Sequence, residues 1–225
     1  MNRILIFLIF LLISSISFGQ KDSLLLGSRY ADDQVYASIS YTQFFDQPSV
    51  ITKSNFSYGV SIGFLKDFIL NKKGSVSFAL GIGYGYDVFN HELKVEESNN
   101  ETVFSTDNTI TSNIFKAHNL ELPIELRWRT STSNKYDFWR IYGGVKFIYN
   151  TSNSFQYIDV NNMDFKYLNV SAYNKLQYGL TLSAGYDKFN MNIFYGLTPI
   201  FNDANIEGEK IETKVIKFGL ILYLL

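Results

Sequence analysis

The stretch SVSFALGIGYGYDVF, from Ser75 to Phe89, decides the fold class. Val76, Phe78, Leu80, Ile82, Tyr84, Tyr86 and Val88 occupy every second position, with Ser77, Ala79, Gly81, Gly83, Gly85 and Asp87 between them. Successive side chains of a strand point to opposite faces, so the pattern makes one bulky apolar face and one face of small residues. A helix, with 3.6 residues per turn, would mix the two sets around its circumference. The segment reads as a β-strand.

Working outward, the alternation returns at Asn55 to Phe64, where Phe56, Tyr58, Val60, Ile62 and Phe64 oppose Ser57, Gly59, Ser61 and Gly63. It returns again at Leu176 to Tyr186, with Gln177, Gly179, Thr181, Ser183 and Gly185 on the small or polar side. Weaker versions run over Gln34 to Phe45, His118 to Arg129, Phe138 to Tyr149, Asn190 to Phe201 and Lys214 to Leu225, making eight strands in all. Each reaches the ~9 to 11 residues that a tilted membrane-crossing strand requires. The 16 Tyr, 20 Phe and 3 Pro of the chain suit pleated surfaces.

The small face distinguishes a membrane barrel from a soluble one. A strand face turned to water is rich in Lys, Glu and Asp. In the three clearest strands that face is Gly, Ser, Ala and Thr, almost without charge. Small residues suit the narrow interior of an eight-stranded barrel, which sends the bulky face outward into lipid. A sheet in lipid must also close on itself to leave no unpaired edge. The expected fold is an all-β, antiparallel up-and-down transmembrane β-barrel of about eight strands, placed in the bacterial outer membrane.

The connections near 46–54, 68–74, 90–113, 130–137, 150–175, 187–189 and 202–213 alternate longer and shorter. Outer-membrane barrels join strands by short periplasmic turns and longer exterior loops, so 90–113 and 150–175 are the large exterior loops and both strand termini face the periplasm. Trp128, Trp139, Tyr186 and Tyr223 are then expected at the periplasmic aromatic girdle, and Tyr58, Tyr84, Tyr86, Phe147 and Tyr149 at the opposite rim.

The first residues carry one basic side chain, Arg3, then an apolar run from Ile4 to Ile13 and small residues up to Gly19, which reads as a signal peptide over 1–19. A periplasmic segment is expected over 20–33 and the barrel over 34–225. Without Arg3 the remainder has 19 basic and 21 acidic residues, too near neutral to suggest a nucleic-acid partner. The absence of cysteine excludes disulfides, thiolate metal sites and an acylated N-terminal Cys.

Strand parity places a charged set inside the barrel. With His118, Leu120, Leu122, Ile124, Leu126 and Trp128 outward, Glu121, Pro123, Glu125, Arg127 and Arg129 point inward. The next strand adds Arg140 and Lys146, and the last adds Lys217. Charges in a low-dielectric interior need partners, so Glu121 and Glu125 are expected to bridge Arg127, Arg140, Lys146 or Lys217. A pore would use these residues as an ion path. The preferred reading is a salt-bridged plug, since eight strands leave room for side chains and little else. Pro123 removes a ladder donor, so a bulge or bend is expected there.

The run Asn119-Leu120-Glu121-Leu122-Pro123-Ile124-Glu125-Leu126-Arg127-Trp128 resembles the Leu-Glu-Ile-Pro-Leu-type strand of the PorT-like outer-membrane β-barrel proteins of Bacteroidetes. Ile141-Tyr142-Gly143-Gly144 is similar to that family's next strand, and Gly179 to Tyr186 to its Gly-rich later one. The resemblance implies an outer-membrane barrel and, for the founding member, a part in type IX protein secretion. One departure is that membrane barrels usually end on an aromatic residue, whereas this chain ends Tyr223-Leu224-Leu225.

Catalytic chemistry is not expected. The chain has two histidines, His91 and His118, and neither has a serine within two positions. His91 is expected in an exposed loop and His118 at the membrane interface. Glu92, Glu96, Glu97, Glu101 and Asp107 match no calcium-loop spacing and read as a solvated loop. No metal, cofactor or catalytic residue is assigned. Lipid is the expected surroundings, and any envelope or secretion partner would meet the exterior loops or periplasmic turns. Phe155, Tyr157, Phe165 and Tyr167 in 150–175 are read either as such a contact surface or as packing within the loop.

Overall fold

A computed structural model describes residues 33–51, 55–98, 101–130 and 139–224. The expected leader over 1–19 and nearly all of the segment over 20–33 lie outside the described residues, as do Phe138 and most of the turn at 130–137. Eight long strands form the wall: β1 (Gln34–Phe45), β2 (Ser57–Ile69), β3 (Val76–Asn90), β6 (Ile110–Arg129), β7 (Trp139–Asp159), β9 (Leu176–Tyr186), β10 (Phe189–Gly196) and β13 (Lys214–Leu224). Five short ones lie in the connections: β4 (Leu93–Ser98), β5 (Glu101–Thr106), β8 (Asp164–Leu168), β11 (Asn205–Ile206) and β12 (Glu209–Lys210).

Each wall strand pairs antiparallel with the next, and β1 pairs β13 from Val35↔Leu224 to Phe45↔Lys214. The ring is therefore closed. Closure leaves no wall strand with an open edge, the condition a sheet must meet in hydrocarbon. The faces follow the parity of the sequence. Leu80, Ile82 and Tyr84 of β3 are 43, 54 and 47 % exposed, while Ser77 and Ala79 on the alternate parity are fully covered.

The glycines of β2 and β3 face inward where larger side chains from neighbouring strands fill the lumen. A Cβ on Gly83 would stand 2.1 Å from the Tyr36 hydroxyl, and one on Gly59 would stand 2.3 Å from a carboxylate oxygen of Asp87. The glycine face is thus the space these side chains occupy, with no room for a methyl group.

Trp128, Trp139 and Tyr186 are exposed at the periplasmic rim, where the Trp139 and Tyr186 rings meet edge to face at 5.6 Å. Tyr58, Tyr84, Phe147 and Tyr149 are exposed at the exterior rim. Ten residues along β6 separate Trp128 from His118. At ~3.3 Å rise and ~40° tilt that is about 25 Å, the height of an outer-membrane apolar band. Tyr223 departs from the expected girdle. Its parity on β13 turns it inward, where it is buried.

The exterior parts of β6 and β7 correct the expected loop bounds. These strands run 20 and 21 residues, so 110–117 and 150–159 are strand and stand beyond the lipid-facing wall. The reason lies at Thr151. His118 pairs with Ser152 and Asn119 with Asn150, so Thr151 is an extra residue that shifts the inward parity from even to odd. Beyond it Asn153, Phe155 and Tyr157 face inward, so the alternation read up to Tyr149 continues with its phase reversed. At the other end of the expected bounds, β10 stops at Gly196, and Ile200 and Phe201 leave the wall to be buried elsewhere.

Pro123 produces no bulge. It pairs in register with Lys146, and the register of β3 with β6 is unchanged on both sides of it. The ladder is instead interrupted at Gly81 and Ile82, the positions facing Pro123 and Leu122. A missing donor is absorbed as a local gap, because a register shift would turn the inward charges of β6 into lipid.

Candidate functional site: the charged lumen and its exterior cap

The barrel interior is filled by a charged layer in its periplasmic half, a second charged layer above it, and an aromatic cap at the exterior mouth. In the lowest layer Asp67 of β2 binds two arginines of β6. Its Oδ1 lies 3.5 Å from Arg127 Nη1 and its Oδ2 lies 3.0 Å from Arg129 Nη2. The Ser77 hydroxyl donates to Oδ1 at 2.6 Å. Arg127 Nε donates to Glu125 at 3.0 Å, and its guanidinium covers the Tyr142 ring at 4.6 Å. Arg129 Nε donates to the Gly74 carbonyl at 2.8 Å. Arg140 is buried with its guanidinium 5.8 Å from the Tyr223 ring, and Tyr223 shares a 3.1 Å hydrogen bond with Ser183.

The second layer holds two lysines. Lys146 lies 2.8 Å from Glu121, which also accepts from the Tyr36 hydroxyl at 3.3 Å. Lys217 lies 2.6 Å from Asp87, which also accepts from the Asn119 amide at 3.0 Å. The remaining void between these pairs is about 10 Å³. That is about the least space that holds one water molecule.

All six residues expected in the interior cluster, Glu121, Glu125, Arg127, Arg140, Lys146 and Lys217, are on the inner face. Glu121 and Glu125 pair with Lys146 and Arg127 as expected. Lys217 does not join them and turns to Asp87. Sequence reasoning missed Asp67 and the inward tyrosines Tyr36, Tyr142 and Tyr223, and it gave Asp87 no partner. The signal for the acids was present. Both lie on the inward parity of their strands, where a lone carboxylate among Gly and Ser implies a cation opposite.

Above the second layer the interior turns apolar. The rings of Phe44, Phe89, Phe115 and Phe155 stack in series, with centroids 4.7, 4.9 and 4.1 Å apart. Leu93, Val95, Val170, Tyr173, Ile200, Phe201, Ile206 and Ile211 from the exterior connections pack onto them. Phe155 and Tyr157 are buried in this cap, and Phe165 and Tyr167 stack against Tyr157. The aromatics of the large loop therefore pack within it.

His91 departs from the exposed loop position expected of it. It is buried, edge-on to Phe44 and Phe115, and its Nδ1 accepts the Leu93 amide at 3.0 Å. Burial alone lowers its pKa to about 4. His118 lies at the exterior rim as expected, hydrogen-bonded to the Tyr84 hydroxyl. Glu96 accepts from Tyr157 at 2.6 Å and Glu97 from Thr102 at 2.6 Å, so both carboxylates are engaged within the cap. Among the described residues no three His, Asp or Glu side chains are grouped to hold a metal ion.

A closed eight-stranded ring with a lipid-facing apolar belt, two aromatic rims and a filled interior defines a bacterial outer-membrane β-barrel protein. The family model of the outer membrane protein beta-barrel domain matches residues 18–202, and the chain belongs to that family. No curated protein matches the chain significantly. Among solved structures it is similar to Ail, the attachment invasion locus protein of Yersinia pestis, at 11% identity and a TM-score of 0.36, over 85% of this chain and 96% of that one. A mutant porin of Rhodopseudomonas blastica is similar at 7% identity and a TM-score of 0.22, over 87% of this chain and all of the other.

Proposed function

We propose that the protein is a closed barrel that serves the cell envelope as a structural or interaction element, without catalysis and without passing solutes. The observation that carries this reading is the filled lumen. Carboxylates and cations pair across it, the void among them is about 10 Å³, and an apolar cap seals the exterior end. Opening such a barrel would strand buried charges, which costs several kcal/mol for each pair broken. Contacts with envelope proteins would then fall to the exterior connections or the periplasmic turns. The likeness of Asn119 to Trp128 to the PorT-like strand extends the proposal to a role in protein secretion.

Planar-bilayer recording of the purified protein tests the closed state. Silence is the expected result. Stable single-channel steps whose ion preference changes in Glu125→Lys would replace this reading with that of a small pore. The secretion role predicts that cells lacking the protein export less cargo across the outer membrane, and unchanged export removes it.

A further inference from the structure

The outward face of the barrel continues above the lipid belt, because β6 and β7 overrun the wall and β8 adds to β7. On three successive rungs this face carries His118 opposite Ser152, then Lys116 opposite Ser154 and Leu168, then Ile114 opposite Gln156 and Lys166. Phe165 and Tyr167 turn toward the cap, so Lys166 between them is on the outer side. The Tyr86 ring packs on His118 at 4.8 Å, and the Tyr84 hydroxyl binds its Nδ1, which leaves Nε2 as the uncommitted nitrogen. Among the described residues neither Lys116 nor Lys166 has an ion-pair partner. Asp164, a carboxylate on this face, is held by the Gln156 amide at 3.0 and 2.9 Å.

The height of this ledge decides what it meets. His118 lies about 25 Å from the periplasmic rim, at the boundary of hydrocarbon and headgroups, and Lys116 stands about 5 Å above it. A lysine on the lipid side at that level can lay its methylenes on the apolar belt and raise its ammonium into the headgroups. Two strand spacings of ~4.8 Å and a rung offset of ~6.6 Å place the β6 and β8 lysines about 12 Å apart, within reach of one lipid headgroup for side chains of this length.

We infer that Lys116, Lys166 and His118 form a docking ledge for the phosphate of an anionic lipid in the outer leaflet. The ledge is continuous with the lipid-facing wall, so the lipid is already its neighbour. The aromatic side chains of Tyr84 and Tyr86 flank the glycerol or sugar region, where ring and polar tip both find a partner.

The test uses the folded protein in phosphatidylcholine vesicles doped with spin-labelled phosphatidic acid or spin-labelled phosphatidylcholine, with relative association read by electron paramagnetic resonance. Wild-type protein should select the phosphatidic acid label, and each lysine removed should lower that selectivity about fivefold. In the Lys116→Gln, Lys166→Gln double variant the two labels should bind nearly alike, while heat-modifiable gel mobility verifies folding. Lys210→Gln, which removes a cap cation paired with Glu212, should leave selectivity unchanged. Equal binding of both labels to wild type, or selectivity preserved in the double variant, overturns the ledge. A fall as large in Lys210→Gln means general surface charge and overturns it too. Loss of selectivity in millimolar inorganic phosphate at constant ionic strength would assign the site to free phosphate and reject the lipid.

Discussion

Asp67 shows what a single buried charge does in this lumen. Its side chain and those of Arg127 and Arg129 have no exposed surface, so each cation depends on partners inside the barrel. Removing one partner of such a group typically costs 3–5 kcal/mol, because the other charge remains buried. Asp67→Asn should therefore lower stability by about 3 kcal/mol, with Glu125 still holding Arg127. Reversible urea unfolding from lipid vesicles measures the loss, and a change below about 1 kcal/mol would show that the arginines do not rely on Asp67. At this scale much of the interior was legible: parity alone sent Glu121, Glu125, Arg127, Arg140, Lys146 and Lys217 inward. Parity could not say which acid meets which base, since Lys217 and Asp87 are 130 residues apart in sequence and meet only through barrel closure.

At the scale of the strand, the lipid-facing side is the part the sequence states most directly. Leu80 lies mid-strand on the outward face of β3, opposite Ile124 of β6. An arginine near the bilayer midplane of a barrel costs roughly 2–4 kcal/mol. Leu80→Arg should lose about that much in folding into vesicles while the same protein in detergent stays closer to wild type. An equal loss in both media would place Leu80 against protein, not lipid. The same alternation misled at the exterior end of β7, where the single inserted residue Thr151 exchanges the faces, while β6 keeps its parity throughout. A bulge is invisible to a period-two reading because both halves alternate correctly and only their phase differs.

The cap belongs to the whole molecule, since its rings come from β1, β3, β6 and β7 and its covering residues from the exterior connections. His91 makes its stability depend on pH. With a pKa held near 4 by burial, against 6.5 for a free imidazole, the folded cap keeps this residue neutral where an open cap would bind a proton. Its contribution is fully present above pH about 6.5 and is lost as pH falls through the window down to about 4, amounting to about 3 kcal/mol. Hydrogen exchange should show the amides of Phe89 to Val95 losing protection between pH 6.5 and 4, once intrinsic exchange rates are divided out. In His91→Phe that acid-dependent loss should vanish. A profile unchanged by the substitution would show that other groups govern the cap.

The sequence by itself determined the fold class, the outward and inward faces of most strands, the membrane setting and six members of the interior charge cluster. All of these follow from a repeat of two residues and from the rarity of charge on both faces, which are local properties of the chain. Tertiary structure alone decided the pairing of Lys217 with Asp87, the burial of His91 and the sealing of the mouth by exterior loops. Those features depend on residues far apart in sequence being brought together by closure of β1 on β13, and on phase shifts that strand-by-strand reading does not record.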